Sequence, residues 1–201
     1  MYGTDREACT VTRKNLRREV SNALMKRGYV RDGRMHLKRL ARDVSWVVDT
    51  APLDGGGDIA PFIGIRHDGL EELVADLLGL PLDATVASVG DNAGFLLNGE
   101  YRSWKSGQKV EDVTSAIALA EERLLPYLSL KNIFGVWNLT SRNADPAWRY
   151  REIARLILLG EVDGIDDRLD AARADFCRYE DQVCEQFRDF ERRVRQHLSA
   201  G

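Results

Sequence analysis

Proline is scarce in this chain, 5 in 201 residues, and no apolar run approaches the ~18 residues that a membrane-spanning helix needs. The opening MYGTDREACT also lacks the apolar core of a signal peptide, so the expected location is the cytoplasm, with no membrane partner. Cysteine is nearly absent, and an odd three of them fits a reducing compartment. Cys177 and Cys184 fall on what reads as one helix, where seven residues at ~1.5 Å rise separate their Cα atoms by about 10.5 Å. That is too far for a bridge unless the helix breaks.

The motifs of catalysis are missing too. His36, His67 and His197 form no HExxH pattern, and no GxSxG elbow occurs. Ser45, beside Trp46, lies inside a predicted strand, where its hydroxyl is hard to present. The Asp54-Gly-Gly-Gly-Asp58 stretch lacks the lysine and Ser or Thr of a phosphate loop, and Asp49, Asp54 and Asp58 lack the terminal glutamate of a calcium loop. No metal or cofactor is expected, and enzymatic activity is not the favoured reading.

What is present is the composition of a globular protein, 44% hydrophobic and 30% charged. The net charge of -3 conceals an asymmetry. Residues 1–42 hold 12 Lys and Arg against 4 Asp and Glu, while residues 43–201 hold 17 against 28. Arg13, Lys14, Arg17 and Arg18 on the first predicted helix therefore make nucleic-acid binding an alternative function. The same charge can equally neutralise the acidic remainder of the chain.

The pattern predicts a helix over 12–27, with Leu16, Val20, Ala23 and Leu24 at helical spacing, Thr12 as its cap and Gly28 as its stop. Three strands follow over 34–41, 44–50 and 59–66, rich in β-branched residues at a period near two. A helix over 69–78 is expected to pack on this sheet. Next come a strand over 85–89, a hairpin or strand and loop across 90–107, and helices over 111–125 and 129–138. Asp145-Pro146 marks a helix start running to Leu159. From Asp163 the apolar positions Ile165, Leu169, Ala172, Phe176, Tyr179, Val183, Phe187, Phe190, Val194 and Leu198 alternate by four and three, which predicts one helix of ~34 residues, about 50 Å long. The expected fold is α+β: an antiparallel or mixed sheet of four to five strands covered by helices over 1–139, then a C-terminal helical hairpin over 145–201 that ends in a long helix.

Trp46, Asp49, Arg66, Tyr101 and Trp104 would line one exposed sheet face if the segment after Gly90 pairs with the first strands, and aromatics beside arginine suit protein binding. Phe187 and Phe190 outrun the preceding helix. They are expected either on the main domain or against another protein or a second copy of the chain. Asp49, Arg66 and His67 at a sheet edge define the alternative of a hydrolase.

The helix leading to Gly28-Tyr29, the strand Ser45-Trp46-Val47-Val48, then Phe62-Ile63-Gly64-Ile65 and Leu124-Leu125-Pro126-Tyr127-Leu128, resemble a group of bacterial domains of unknown function. These are similar in outline to immunity and accessory proteins found near toxins and defence genes. The likeness spans residues 15–130. It implies an antiparallel sheet packed with helices and transfers no catalytic residue, while the lack of a catalytic constellation beside an over-long apolar-striped helix makes a non-catalytic protein-binding or immunity-type role the favoured function.

Overall fold

The computed structural model describes residues 5–52, 58–139, 147–178 and 181–200, with side chains in the first helix from Leu16 onward. The architecture is α+β, with a five-stranded antiparallel sheet and seven α-helices among the described residues. Two compact units divide it, Met1–Arg66 with Thr85–Ser141 and His67–Ala84 with Arg142–Gly201.

In the first unit, helix α1 (Asp5–Lys26) precedes strands β1 (Val30–Asp32), β2 (Met35–Arg39), β3 (Val44–Asp49) and β4 (Phe62–His67), whose last residue belongs to the second unit. Strand β5 (Val89–Asn92) completes a sheet in which each strand neighbours the next in sequence. Leu16, Val20 and Leu24 stand four apart, on one stripe of α1, and are buried. The helix packs on β1, β2 and helix α4 (Val110–Leu124). It stops where Gly28 takes a φ of 88°, a left-handed turn that favours glycine.

Five consecutive residues of β3, Val44 through Val48, are buried, because this strand is the middle one of the order and both of its faces are covered. Strands β4 and β5 meet at a glycine pair, Gly64 opposite Gly90. A Cβ on either would lie 2.5 Å from a carbonyl oxygen, that of Val89 or Ile63. The Phe62 ring covers the gap left by the two missing side chains.

Buried polar contacts fasten α1 to this sheet and to α4. Ser21 of α1 and Nε2 of His36 on β2 lie 2.7 Å apart, both buried. At the foot of α1, Tyr29 donates its hydroxyl to Glu121 Oε1 of α4, and Arg27 donates to Oε2 at 2.6 Å. Burial, reinforced by the Glu121 charge, pushes the Tyr29 phenol well above its ordinary range. The hydroxyl is thus a fixed donor to a buried carboxylate.

The expected strand at 85–89 is displaced, and the expected hairpin or strand and loop across 90–107 contains a helix instead. Strand β5 begins at Val89, and Ala93–Asn98 forms helix α3. The reason is local: Asn92 accepts a hydrogen bond from Gly94 N at 2.9 Å and caps a helix directly after the strand. The glycine run of 55–57, the linker over 140–144 and the Asp145-Pro146 start lie outside the described residues.

The second unit consists of α2 (Asp68–Leu78), α5 (Trp148–Leu159), α6 (Ile165–Phe176) and α7 (Asp181–Ala200). Helix α2, expected over the sheet, packs its stripe of Leu70, Val74 and Leu77 with α5 and α7. Arg151 of α5 binds Glu71 of α2 through two parallel hydrogen bonds of 2.9 and 2.8 Å. Arg193 of α7 reaches the Leu77 carbonyl, at the end of α2 where the last carbonyls lack helical partners.

The single helix expected from 163 to 198 is two helices. Helix α6 ends at Phe176, α7 begins at Asp181, and Cys177 and Cys184 form a disulfide with their Cα atoms 4.5 Å apart. A continuous helix would hold those atoms about 10.5 Å apart. Bridge and straight helix therefore exclude each other. Folding back lets Phe187 stack on Phe176 at 4.9 Å between ring centroids, with Tyr150 of α5 at 4.7 Å from both Phe176 and Phe190.

Candidate functional site

The residues proposed for a common exposed face do not share one. Trp46 and Arg66 are both buried. Asp49 is held by Arg34 at 3.2 Å and accepts the Ala51 N–H at 2.7 Å. Arg66 donates to the Val86 carbonyl at 2.8 Å. In these roles Asp49 and Arg66 are structural partners of their own strands and loops. His67 is half-buried at the start of α2.

Phe187 and Phe190, offered as contacts for another chain, are 0% and 1% exposed. Their partners are Tyr150 and Phe176 of the same unit, because the break after α6 returns α7 alongside it. Of the basic set, Arg17 is half-buried and Arg18 exposed, while the side chains of Arg13 and Lys14 lie outside the described ones.

One part of the expected constellation does come together, between α3 and Trp104. Asn92 organises it. Its Oδ1 accepts the N–H of Gly94 and of Arg102, each at 2.9 Å, and its Nδ2 donates to the Arg102 carbonyl at 2.9 Å. One buried amide thus fixes both the start of α3 and the backbone ten residues later. Gly94 permits the closure, since a Cβ there would sit 2.3 Å from the Glu100 carbonyl oxygen. Arg123 of α4 fastens the other end of α3 by donating to the Leu97 carbonyl at 2.6 Å.

The loop so held presents Tyr101 and Arg102. Tyr101 is 54% exposed and meets Phe95 of α3 edge to face at 6.1 Å. Arg102 is exposed, and its guanidinium lies 4.6 Å over the ring of Trp104, which is fully buried. Trp104 is anchored from below, exchanging two backbone hydrogen bonds with Ile59 at 2.9 and 2.8 Å. A guanidinium placed over a desolvated indole gains a cation–π contact, and its N–H groups remain suited to a carboxylate. Nearby on β5, burial raises the Asp91 carboxyl above its usual range, against a hydrogen bond from the Asn92 N–H that lowers it.

Sequence reading singled out Tyr101 and Trp104 but missed Asn92, Phe95 and Arg102. The available signal was Asn92 followed by Ala-Gly, a helix cap rather than the turn of a hairpin. A concavity of about 590 Å3 lies along α7 and is walled by that helix alone, from Arg188 to Ala200. Among the described residues no three of His, Cys, Asp and Glu gather as metal ligands, and no helix is long and apolar enough to cross a membrane. Comparison with protein families, curated proteins and solved structures finds no match to this chain.

Proposed function

We propose that the chain is a non-catalytic protein-binding protein of the immunity or accessory kind, acting in the cytoplasm, and that it meets its partner through Tyr101 and Arg102. The observation that carries this reading is the fixed presentation of an exposed tyrosine and an arginine stacked on a buried tryptophan. Tyrosine, tryptophan and arginine supply most of the energy at protein interfaces, and a loop already pinned by Asn92 loses little freedom on binding. Pocket chemistry has no comparable support, since Asp49 and Arg66 serve the backbone and a neighbouring ion pair.

The test is affinity capture from native cells with the wild-type chain and with Tyr101→Ala and Arg102→Ala. A partner retained by the wild type should bind each variant about 30-fold more weakly, the effect of an interface residue worth ~2 kcal/mol. Both variants should stay folded and lose no more than about 1 kcal/mol of stability, the worth of one aromatic or cation–π contact. Equal retention by wild type and variants would remove this corner as the interface.

A further inference from the structure

The disulfide joins two cysteines in opposite surroundings. Cys177 caps the C-terminus of α6, donates its N–H to the Arg173 carbonyl at 2.9 Å, and is exposed. Cys184 is the fourth residue of α7 and only 7% exposed, on the same face as Phe187. Cys177 is therefore the half of the bond that faces solvent, and the half an attacking thiolate meets first. The helix termini add a second asymmetry. Partial positive charge at the start of α7 favours negative charge leaving on Cys184, while Asp181 and the burial of Cys184 act against it. At the end of α6 the partial charge is negative and disfavours a thiolate on Cys177.

We propose that Cys177–Cys184 is a reversible thiol-exchange site, opened by a small thiol or dithiol at the Cys177 sulfur and serving as a clasp on the α6 and α7 hairpin. The thiolate of the incoming reagent bonds to Cys177 Sγ as the Cys177–Cys184 bond breaks. The electron pair leaves on Cys184 Sγ, which takes a proton from water. A second thiol then displaces the first reagent from Cys177 as a disulfide, leaving two protein thiols.

The clasp matters because the apolar stripe runs uninterrupted in sequence from Ile165 to Leu198, so the bond acts beside the aromatic packing and the ion pairs Arg173–Glu191 and Arg195–Asp166 in holding α6 against α7. Closing an eight-residue loop in the unfolded chain stabilises the folded form by a factor of roughly 50. The Phe176, Phe187 and Tyr150 cluster still holds the hairpin when the bond is open. Reduction should thus loosen the unit without dispersing it.

The experiment uses the full chain carrying Cys9→Ser, purified without reductant. Titration should find no free thiol before reduction and two afterwards. Brief exposure to glutathione, acid trapping and peptide mass analysis should place glutathione on Cys177 at least tenfold over Cys184. Amide exchange in α6 and α7 should then be on the order of 50-fold faster in protein reduced with dithiothreitol, and equally fast in Cys177→Ser/Cys184→Ser. Two free thiols at the outset, failure to form any adduct, glutathione on Cys184, or unchanged exchange after reduction would each overturn the proposal.

Discussion

At the scale of single residues, buried polar groups hold the first unit in place, and each can be tested. Asn92 satisfies backbone groups of Gly94 and Arg102 that would otherwise be unpaired at the base of the binding corner. Asn92→Ala should destabilise the protein by about 2 kcal/mol or more in urea unfolding, and Arg102 should lose its fixed position over Trp104. An unchanged midpoint would show that water replaces the amide.

His36 gives a pH dependence of definite sign. Burial holds its pKa below the ordinary 6.5, a backbone group of Val48 raises it, Arg31 and Arg17 lower it, and Asp49 raises it. The ring Nδ1 is buried without a hydrogen bond of good geometry, so Val48 acts on it only as a nearby dipole. The folded state thus binds fewer protons than the unfolded state just below pH 6.5, and stability must fall as pH drops through that range. Comparing unfolding at pH 7.5 and 5.5, His36→Gln should lose less stability on acidification than the wild type. An equal loss in both would assign the effect elsewhere.

At the scale of elements, sequence legibility followed the kind of force that sets each boundary. Strands β2 and β3 and helices α2 and α4 were readable because burial imposes its period on their apolar residues. Strand β5 was not, since Val-Gly-Asp-Asn has almost no strand propensity and is held by pairing with β4 across Gly64 and Gly90. That contact makes a prediction of its own. Gly64→Ala or Gly90→Ala must push strands apart, because the obstacle is backbone oxygen rather than a flexible side chain. Either should cost about 2 to 3 kcal/mol by thermal unfolding, and a neutral substitution would show that the pair adapts freely.

The break between α6 and α7 escaped sequence reading for the opposite reason. Neither glycine nor proline interrupts residues 165–198, and the apolar spacing passes through the corner without a change of phase. The cysteines were the only mark of it. The binding corner was half legible: Tyr101 and Trp104 stand out by type, but Arg102 acquires its role only when Asn92 draws the loop onto α3.

For the whole molecule, the second unit is tied by charge as well as by its aromatic cluster. Glu71 is nearly buried and its bidentate partner Arg151 partly so. Arg151→Ala leaves a desolvated carboxylate behind and should lower stability by roughly 1 to 3 kcal/mol after allowance for solvent at the arginine. Raising the salt concentration should affect the wild type less than surface pairing would predict. A neutral Arg151→Ala would mean that water reaches Glu71.

The second unit draws α2 from residues 67–84 and its other helices from residues beyond 142. On the ribosome, every strand of the sheet has emerged by Asn92, while Leu70, Val74 and Leu77 of α2 still await α5 and α7. The last partner ends at Ala200. At about 5 to 20 residues per second, α2 would spend roughly 6 to 24 seconds as a nascent segment with its apolar stripe uncovered. A holdase that recognises short hydrophobic helices should therefore bind nascent chains stalled between these points and release them once α7 has emerged and folded. Placing α2 early in the chain makes its synthesis, more than its finished structure, the moment of greatest exposure to aggregation.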